Sequence, residues 1–248
     1  MTKVVLITGA SRGIGKRLVA QYLARPDTTV IAAVRDTTSA SAEQLETLPK
    51  SKDGSRLIVI RLAADEAHGA REAASEIQKQ NGLDHIDIVI ANAGICDHWG
   101  PVLEAAEEEV RSHLEVNTLG PLRLLQAMEP LLRNASAPKF IYISTLLASI
   151  GGIGQMYTLT GPYGMSKVAG NYLVRKAHAE NEHLVTLSID PGLVQTDLGN
   201  RAAQYYGLDK APVTLEDSVR RIMTQIDTAT KSTTSGMFVN TSGENVCW

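Results

Sequence analysis

The run Lys3-Val4-Val5-Leu6-Ile7-Thr8 leads directly into Gly9-Ala10-Ser11-Arg12-Gly13-Ile14-Gly15, and few folds accommodate that order. A short apolar strand ending in glycines spaced four and two apart is how a parallel α/β sheet offers backbone to a dinucleotide pyrophosphate. The turn needs dihedrals that glycine adopts freely, and a Cβ would stand where the phosphates go. A helix beginning near Gly13 would aim its free N–H groups and positive dipole end at the anion. Ser11, Arg12 and Ile14 are therefore candidate cofactor-binding residues together with Gly9, Gly13 and Gly15.

At 248 residues, 44% of them hydrophobic, the chain suits one large α/β domain. A cofactor-binding half at about 1–135 and a catalytic, substrate-binding half at about 136–248 are expected within it. A net charge of −3 gives no electrostatic case for nucleic acid or an anionic membrane. No apolar run approaches the roughly 20 residues of a membrane span. The apolar start is a strand rather than a signal peptide, so a cytoplasmic protein is expected. Cys96 and Cys247 lack metal-ligand spacing; they read as free thiols, and no metal is expected.

Strand-like runs rich in Val and Ile recur at 3–8, 29–34, 56–62, 86–91, 138–144, 184–190 and 236–240. Their near-continuous apolarity fits strands covered on both faces. Helical patterns lie between them at Lys16–Arg25, from about Ser41, and at Ala67–Gln80, Val110–Leu132, Tyr163–Asn181 and Leu215–Ile226. The alternation predicts a single-domain, Rossmann-type, doubly wound and mostly parallel seven-stranded sheet with helices on both faces. Ligands then bind along the edge formed by the strand C-termini. Residues 193–213 show no clear pattern and read as a candidate lid.

The end of the second strand discriminates between dinucleotides. Where an acid would bind an NAD ribose, the chain has Val34, followed by Arg35. A guanidinium suits a 2′-phosphate, which a carboxylate would repel, and Arg12 offers a second positive group. NADPH is the cofactor expected. Asp36 reads as the N-cap of the helix near Ser41. The fourth strand exits through Asn92-Ala93-Gly94, small residues that let backbone approach a ligand; Asn92 could equally be a structural tie between strands.

Much later comes Tyr163-Gly-Met-Ser-Lys167, preceded by Pro162 at a helix start. Residues at i and i+4 share a helix face, so the ammonium lies near the phenol. Bringing a phenol from pKa 10 to about 7 takes roughly 4 kcal/mol of differential stabilisation, for which an adjacent ammonium and a nicotinamide cation are sources.

Thr8-Gly-x-x-x-Gly-x-Gly15, Asn92-Ala-Gly94, Asn117, Ser144-Thr145, Tyr163-x-x-x-Lys167 and Pro191-Gly192 occur in the order of the short-chain dehydrogenase/reductase family, which the whole chain resembles. Asn171–Lys176, Asp190–Asp197 and the ending Thr234–Val239 with Trp248 further resemble fungal polyketide ketoreductases of the norsolorinic acid ketoreductase type. The resemblance implies that Tyr163 donates a proton to a carbonyl, while Lys167 binds the nicotinamide ribose and depresses the pKa of Tyr163. Asn117 would hold a relay water, with Gly120-Pro121 suggesting a local helix irregularity. Pro191, Gly192, Val194 and Thr196 would line the nicotinamide. It also implies a homodimer or homotetramer through the helices carrying Asn117 and Tyr163.

Two positions depart from the family pattern. The catalytic hydroxyl falls on Thr145 by register, with Ser144 the alternative and Ser149 an outsider; the spacing from there to Tyr163 is longer than usual. An acid that often contacts adenine is replaced by Ala63, leaving Asp65, which reads mainly as a helix cap and secondarily as an adenine contact.

Segments 95–101, 146–162 and 193–213 should form the substrate lips. They carry Trp99, Tyr157, Tyr205 and Tyr206, which lean towards a roomy pocket for a bulky or aromatic ketone; Tyr205-Tyr206 could instead pack a lid helix. His98 and His113 read as surface or packing residues. The expected activity is NADPH-dependent ketone reduction. An alcohol dehydrogenase working in the oxidative direction and a non-catalytic nucleotide-sensing protein are the alternatives.

Overall fold

The computed structural model describes residues 2–155 and 159–248. Side chains alternate across a strand, and β1 (Lys3–Thr8) divides accordingly, with Val5 and Ile7 entering one core and Val4 and Leu6 the other. The same two-sided burial holds along β2 (Thr28–Val34), β4 (Ile88–Ala91) and β6 (Val185–Asp190); it explains the continuous apolarity of β4 and of Val30–Val34, while β6 buries Thr186, Ser188 and Asp190 among its apolar residues. With β3 (Arg56–Arg61), β5 (Lys139–Ile143) and β7 (Met237–Asn240) they form one sheet in the order β3-β2-β1-β4-β5-β6-β7. Every neighbouring pair is parallel.

One core packs the sheet against α1 (Gly13–Leu23), α2 (Ala40–Glu46) and α8 (Leu215–Thr228). The other packs it against α3 (Gly69–Lys79), α5 (Gly120–Arg133) and α6 (Gly161–Glu180). No described helix is long and apolar enough to cross a membrane.

The order reverses at β1, whose neighbours are β2 and β4, and a ligand crevice opens at such a switch point. Side chains lock its two walls together. Thr8 Oγ1 accepts the N–H groups of Asn92 at 3.0 Å and Ala93 at 3.1 Å, and Asn92 Nδ2 donates to the Thr8 carbonyl at 2.9 Å.

Two local expectations are corrected and a third is met: the irregularity expected beside Gly120-Pro121 is a π-turn at Glu115–Leu119, through which α4 (Glu107–Leu114) passes into α5. Residues 193–213 contain a helix, α7 (Asp197–Tyr205), capped by Thr196 Oγ1 on Gly199 N–H at 3.1 Å, and Val194 bridges Val213 across its base. Neither aspartate caps a helix. Asp36 Oδ1 accepts from Thr38 N–H at 2.8 Å in a turn before α2, where Ser39 is the cap. Asp65 is separated from α3 by a further turn that ends at His68.

Phe140, fully buried on β5, lies in the same core as Leu6, Val89 and Leu124. Replacing it with alanine should lower the unfolding free energy by about 3–5 kcal/mol. Urea denaturation measures this, and a loss below about 1 kcal/mol would show that the core relaxes around the gap.

Candidate active site

The carboxyl ends of the strands open into one cavity of about 1410 Å³. Every site residue expected from the sequence lines it except Gly15 and Asn117. Those two lie behind its wall. At the turn after β1, Gly9 and Gly13 have φ of +63° and +53°, in the left-handed region. A Cβ on Gly15 would overlap the Gly9 carbonyl and stand 2.6 Å from Asn92 Nδ2, so the third glycine serves packing beneath the turn. Arg12 precedes α1 in extended conformation without a side-chain cap. The first N–H groups of the helix are thus left for a ligand.

Arg35 is exposed at the end of β2 and makes no hydrogen bond or ion pair with any described residue, while Val34 before it is buried. Ser39 and Ser41 line the same corner and were not singled out from sequence. Arg12 reaches across the mouth towards Asp197 on α7 at 3.5 Å, with both side chains largely exposed. Asp65 sits exposed on the rim.

The other end of the cavity is built on α6. Tyr163, Ser166, Lys167 and Gly170 recur every three or four residues, so this face of the helix carries polar groups towards the sheet. Lys167 is only 3% exposed. Its Nζ donates to the Ile143 carbonyl at 2.7 Å and lies 5.8 Å from the centroid of the Tyr163 ring. Tyr163 is half-buried, with the rest of its surface open to the cavity.

The Ser144-Thr145 pair splits its roles. Ser144 Oγ is buried and donates to Asn171 Oδ1 at 2.7 Å. The Thr145 side chain faces Tyr163 and favours its phenolate form, while its Oγ1 accepts Leu147 N–H at 3.3 Å. Ser149 closes its own turn by accepting from Gly152 N–H at 3.0 Å.

Asn117 occupies the π-turn, and its polar atoms all have protein partners. Oδ1 accepts Ile95 N–H at 2.9 Å; Nδ2 donates to Ile95 O at 2.9 Å and to Ser166 Oγ at 3.0 Å; its carbonyl accepts the Tyr142 hydroxyl at 2.8 Å. One lone pair of that carbonyl is thus taken by a phenol.

Burial, aided by Cys96 and Asp190, pushes the Tyr163 phenol upward, and the same desolvation brings Lys167 down to about 7. Without the positive charge of a bound nicotinamide, the pair favours its uncharged forms.

Asp190 is a functional candidate that the sequence reasoning quoted without assigning a role. Only 5% exposed, its Oδ1 accepts Leu146 N–H at 2.9 Å and its Oδ2 accepts Gly192 N–H at 3.2 Å. One carboxylate therefore ties the segment after Thr145 to the Pro191-Gly192 loop. An acid at the last position of a fully buried strand was the available signal. Its burial raises it to about 6.

At the mouth, Trp99 meets Tyr205 with centroids 5.2 Å apart, and Tyr205 meets Tyr206 at 5.7 Å. Arg201 of α7 approaches Asp97 at 3.6 Å. His98 and His113 are both buried and pin the 95–101 segment to α4. His98 Nδ1 lies 2.9 Å from Glu109 Oε2, and His113 Nε2 accepts Asp97 N–H at 3.1 Å. Cys96 is a free thiol in the cavity wall, pushed up to about 12 by burial. Tyr157 lies outside the described residues.

A family model described as short chain dehydrogenase matches residues 3–206. The chain is 43% identical to a norsolorinic acid ketoreductase of Dothistroma septosporum, across 98% of this chain and 91% of that protein. It is 40% identical to a norsolorinic acid ketoreductase of Aspergillus parasiticus, across 99% and 91%. Among solved structures, the NADPH-bound carbonyl reductase from chicken fatty liver aligns with a TM-score of 0.87 at 26% identity, covering 100% of this chain and 99% of that one. A carbonyl reductase from Pseudomonas aeruginosa PAO1 aligns with a TM-score of 0.80 at 27% identity, covering 99% and 100%.

The raised Asp190 carboxyl has a consequence for stability. A native pKa above the unfolded value means that the folded state binds the proton more tightly, so this group's contribution is fullest in acid. It is lost as pH rises from about 4 through about 6. Between about pH 4 and pH 7, urea titrations of Asp190→Asn should shift relative to wild type in the variant's favour by on the order of 2 kcal/mol. A difference that stays constant with pH would refute the assignment.

Proposed function

The chain belongs to the short-chain dehydrogenase/reductase family as an oxidoreductase, and from that premise we propose that it reduces a ketone with NADPH, using Tyr163 as proton donor. The observation that carries this reading is the convergence of Thr145, Tyr163 and Lys167 on the cavity whose other end presents the glycine turn and Arg35. NADPH, when bound, supplies the hydride to the carbonyl carbon.

The remaining work falls to this chain. The α1 N-terminus and the glycine turn hold a pyrophosphate. The unpartnered Arg35 guanidinium, with Arg12, receives the 2′-phosphate through charge-assisted hydrogen bonds. Pro191, Gly192, Val194 and Thr196 line the nicotinamide end, and Asp190 holds that loop in place. Thr145 donates a hydrogen bond to the ketone oxygen. Tyr163 passes its proton to the same oxygen as negative charge develops there. These donors are fixed before the reaction, so little reorganisation opposes the developing alkoxide. The protonated Lys167 stabilises the tyrosinate left behind.

Cys96, Trp99, Leu147 and Tyr206 give the substrate end of the cavity an apolar and partly aromatic lining, which supports a bulky or aromatic, polyketide-like ketone. The two norsolorinic acid ketoreductase relatives support the same substrate class.

Tyr163→Phe should lower NADPH-dependent ketone reduction by roughly 10²- to 10⁴-fold, while NADPH still raises the melting temperature through linkage. Turnover equal to wild type would remove Tyr163 as the donor. Independently, Arg35→Asp should shift the ratio of kcat/KM for NADPH over NADH by roughly 10- to 100-fold towards NADH. An unaltered ratio would place 2′-phosphate recognition elsewhere.

A further inference from the structure

The carbonyl of Asn117 in the π-turn is taken by Tyr142, a side chain outside the expected site. Tyr142 stands on β5, fully buried, and donates its hydroxyl proton to that carbonyl at 2.8 Å. The face of the same ring supports the Lys167 ammonium, with Nζ 4.6 Å from the centroid. That is closer than the 5.8 Å separating Nζ from the Tyr163 ring centroid. Helix α6 makes room for the arrangement at Gly170, where any Cβ would overlap the phenol, 2.7 Å from Cε1 and nearer still to the hydroxyl. Glycine inside a helix weakens it, so the close approach accounts for its position.

A buried ammonium needs compensation for lost hydration. Among the described residues no carboxylate pairs with Lys167. The groups that face it are the Ile143 carbonyl and Tyr142 from β5, Tyr163 from its own helix, and Cys96 from the segment after β4. Asp190 on β6 acts on Tyr163 rather than on Lys167. The aromatic face, with its negative quadrupole, is therefore the principal partner for the charge besides one carbonyl. An ammonium has three N–H donors. With one on Ile143 O and one side resting on the ring, donor capacity is left for a ligand in the cavity that Lys167 lines.

We propose that Tyr142 is a positioning residue for Lys167: its ring face holds the ammonium at the cavity wall, and its hydroxyl secures the π-turn behind it. The inference rests on the reading of Lys167 as the cation beside the bound nicotinamide ribose.

The test measures NADPH affinity by cofactor fluorescence between about pH 6 and pH 10, alongside melting temperature and ketone reduction, in wild type, Tyr142→Phe, Tyr142→Leu and Gly170→Ala. Affinity should weaken on the alkaline side as Lys167 loses its proton. Phenylalanine retains the ring and should leave that midpoint within about 0.3 unit of wild type. Leucine removes the ring and should move it down by about one unit. Gly170→Ala, which displaces the ring without changing residue 142, should move it the same way. The proposal is overturned if the Leu and Ala variants melt earlier but keep the wild-type midpoint, or if wild type shows no alkaline weakening. Should Tyr142→Leu fail to fold, an unmoved midpoint in Gly170→Ala overturns it alone. A midpoint that follows residue 142 in a protein lacking Tyr163-dependent reduction would uphold this inference while refuting the function proposed above.

Discussion

The active end of the molecule depends on one unfavourable act: helix α6 carries a lysine into the protein interior and leaves it 3% exposed. Desolvation penalises that charge heavily, and the compensation available is one carbonyl and one aromatic face. The surrounding contacts follow from keeping it there. Ser166, one residue earlier, accepts from the Asn117 amide and donates to the Tyr163 carbonyl at 2.7 Å. Thr118 Oγ1 donates to the Ser166 carbonyl at 2.8 Å. The π-turn and α6 are thereby joined by polar contacts. Such a network is stabilising only when each member is satisfied.

A second set of contacts joins the two ends of the groove. Thr8 and Asn92 fasten β1 to β4 beneath the glycine turn, and Asp190 fastens the segment after β5 to the loop after β6. Both ties use side chains at strand ends to capture backbone N–H or carbonyl groups that the sheet ladder no longer pairs. Leaving such groups unpaired in a buried site would be costly. The same residues therefore satisfy the sheet edge and hold the walls of the groove in place, so stability and geometry are hard to alter separately here.

What could be read from the sequence follows from what each signal encodes. The strands and the glycine turn were legible because they depend on local chemistry: continuous apolarity and the absence of a Cβ. Lys167 and Tyr163 were legible because helical spacing alone puts them on one face. The π-turn was legible only as an irregularity beside Gly120-Pro121; its form at Glu115–Leu119 was not, since one extra residue in a turn barely disturbs the apolar periodicity between Val110 and Leu132. Helix α7 was missed because only Gly199, Ala202 and Ala203 of its nine residues are buried, too few to mark a periodicity. Asp36 and Asp65 were misjudged as caps because capping depends on the position of a single residue, and turns intervene before both helices. The different partners of Ser144 and Thr145 depend on neighbours on another element, Asn171 and Tyr163, which local pattern does not place. The Tyr142–Gly170 complementarity joins residues on different elements, and no local pattern announces it.

The protonation state that the proposed reduction needs at its start follows from the same burial. A tyrosine used as a proton donor must begin protonated, and desolvation of the Tyr163 phenol favours that form. An alkoxide developing on a ketone oxygen is a far stronger base than a phenolate, so the proton has a downhill path despite the raised phenol. The reverse reaction would need Tyr163 to begin as phenolate, which the buried setting penalises unless two positive charges, on Lys167 and on an oxidised nicotinamide, accompany it. With Lys167 itself brought down to about 7, its positive charge is lost as the pH rises into the alkaline range where a phenolate would form, so that condition is met less fully there. In the proposed reduction, desolvation at α6 would keep the Tyr163 donor protonated, while the guanidinium at the end of β2 would select the dinucleotide by its 2′-phosphate.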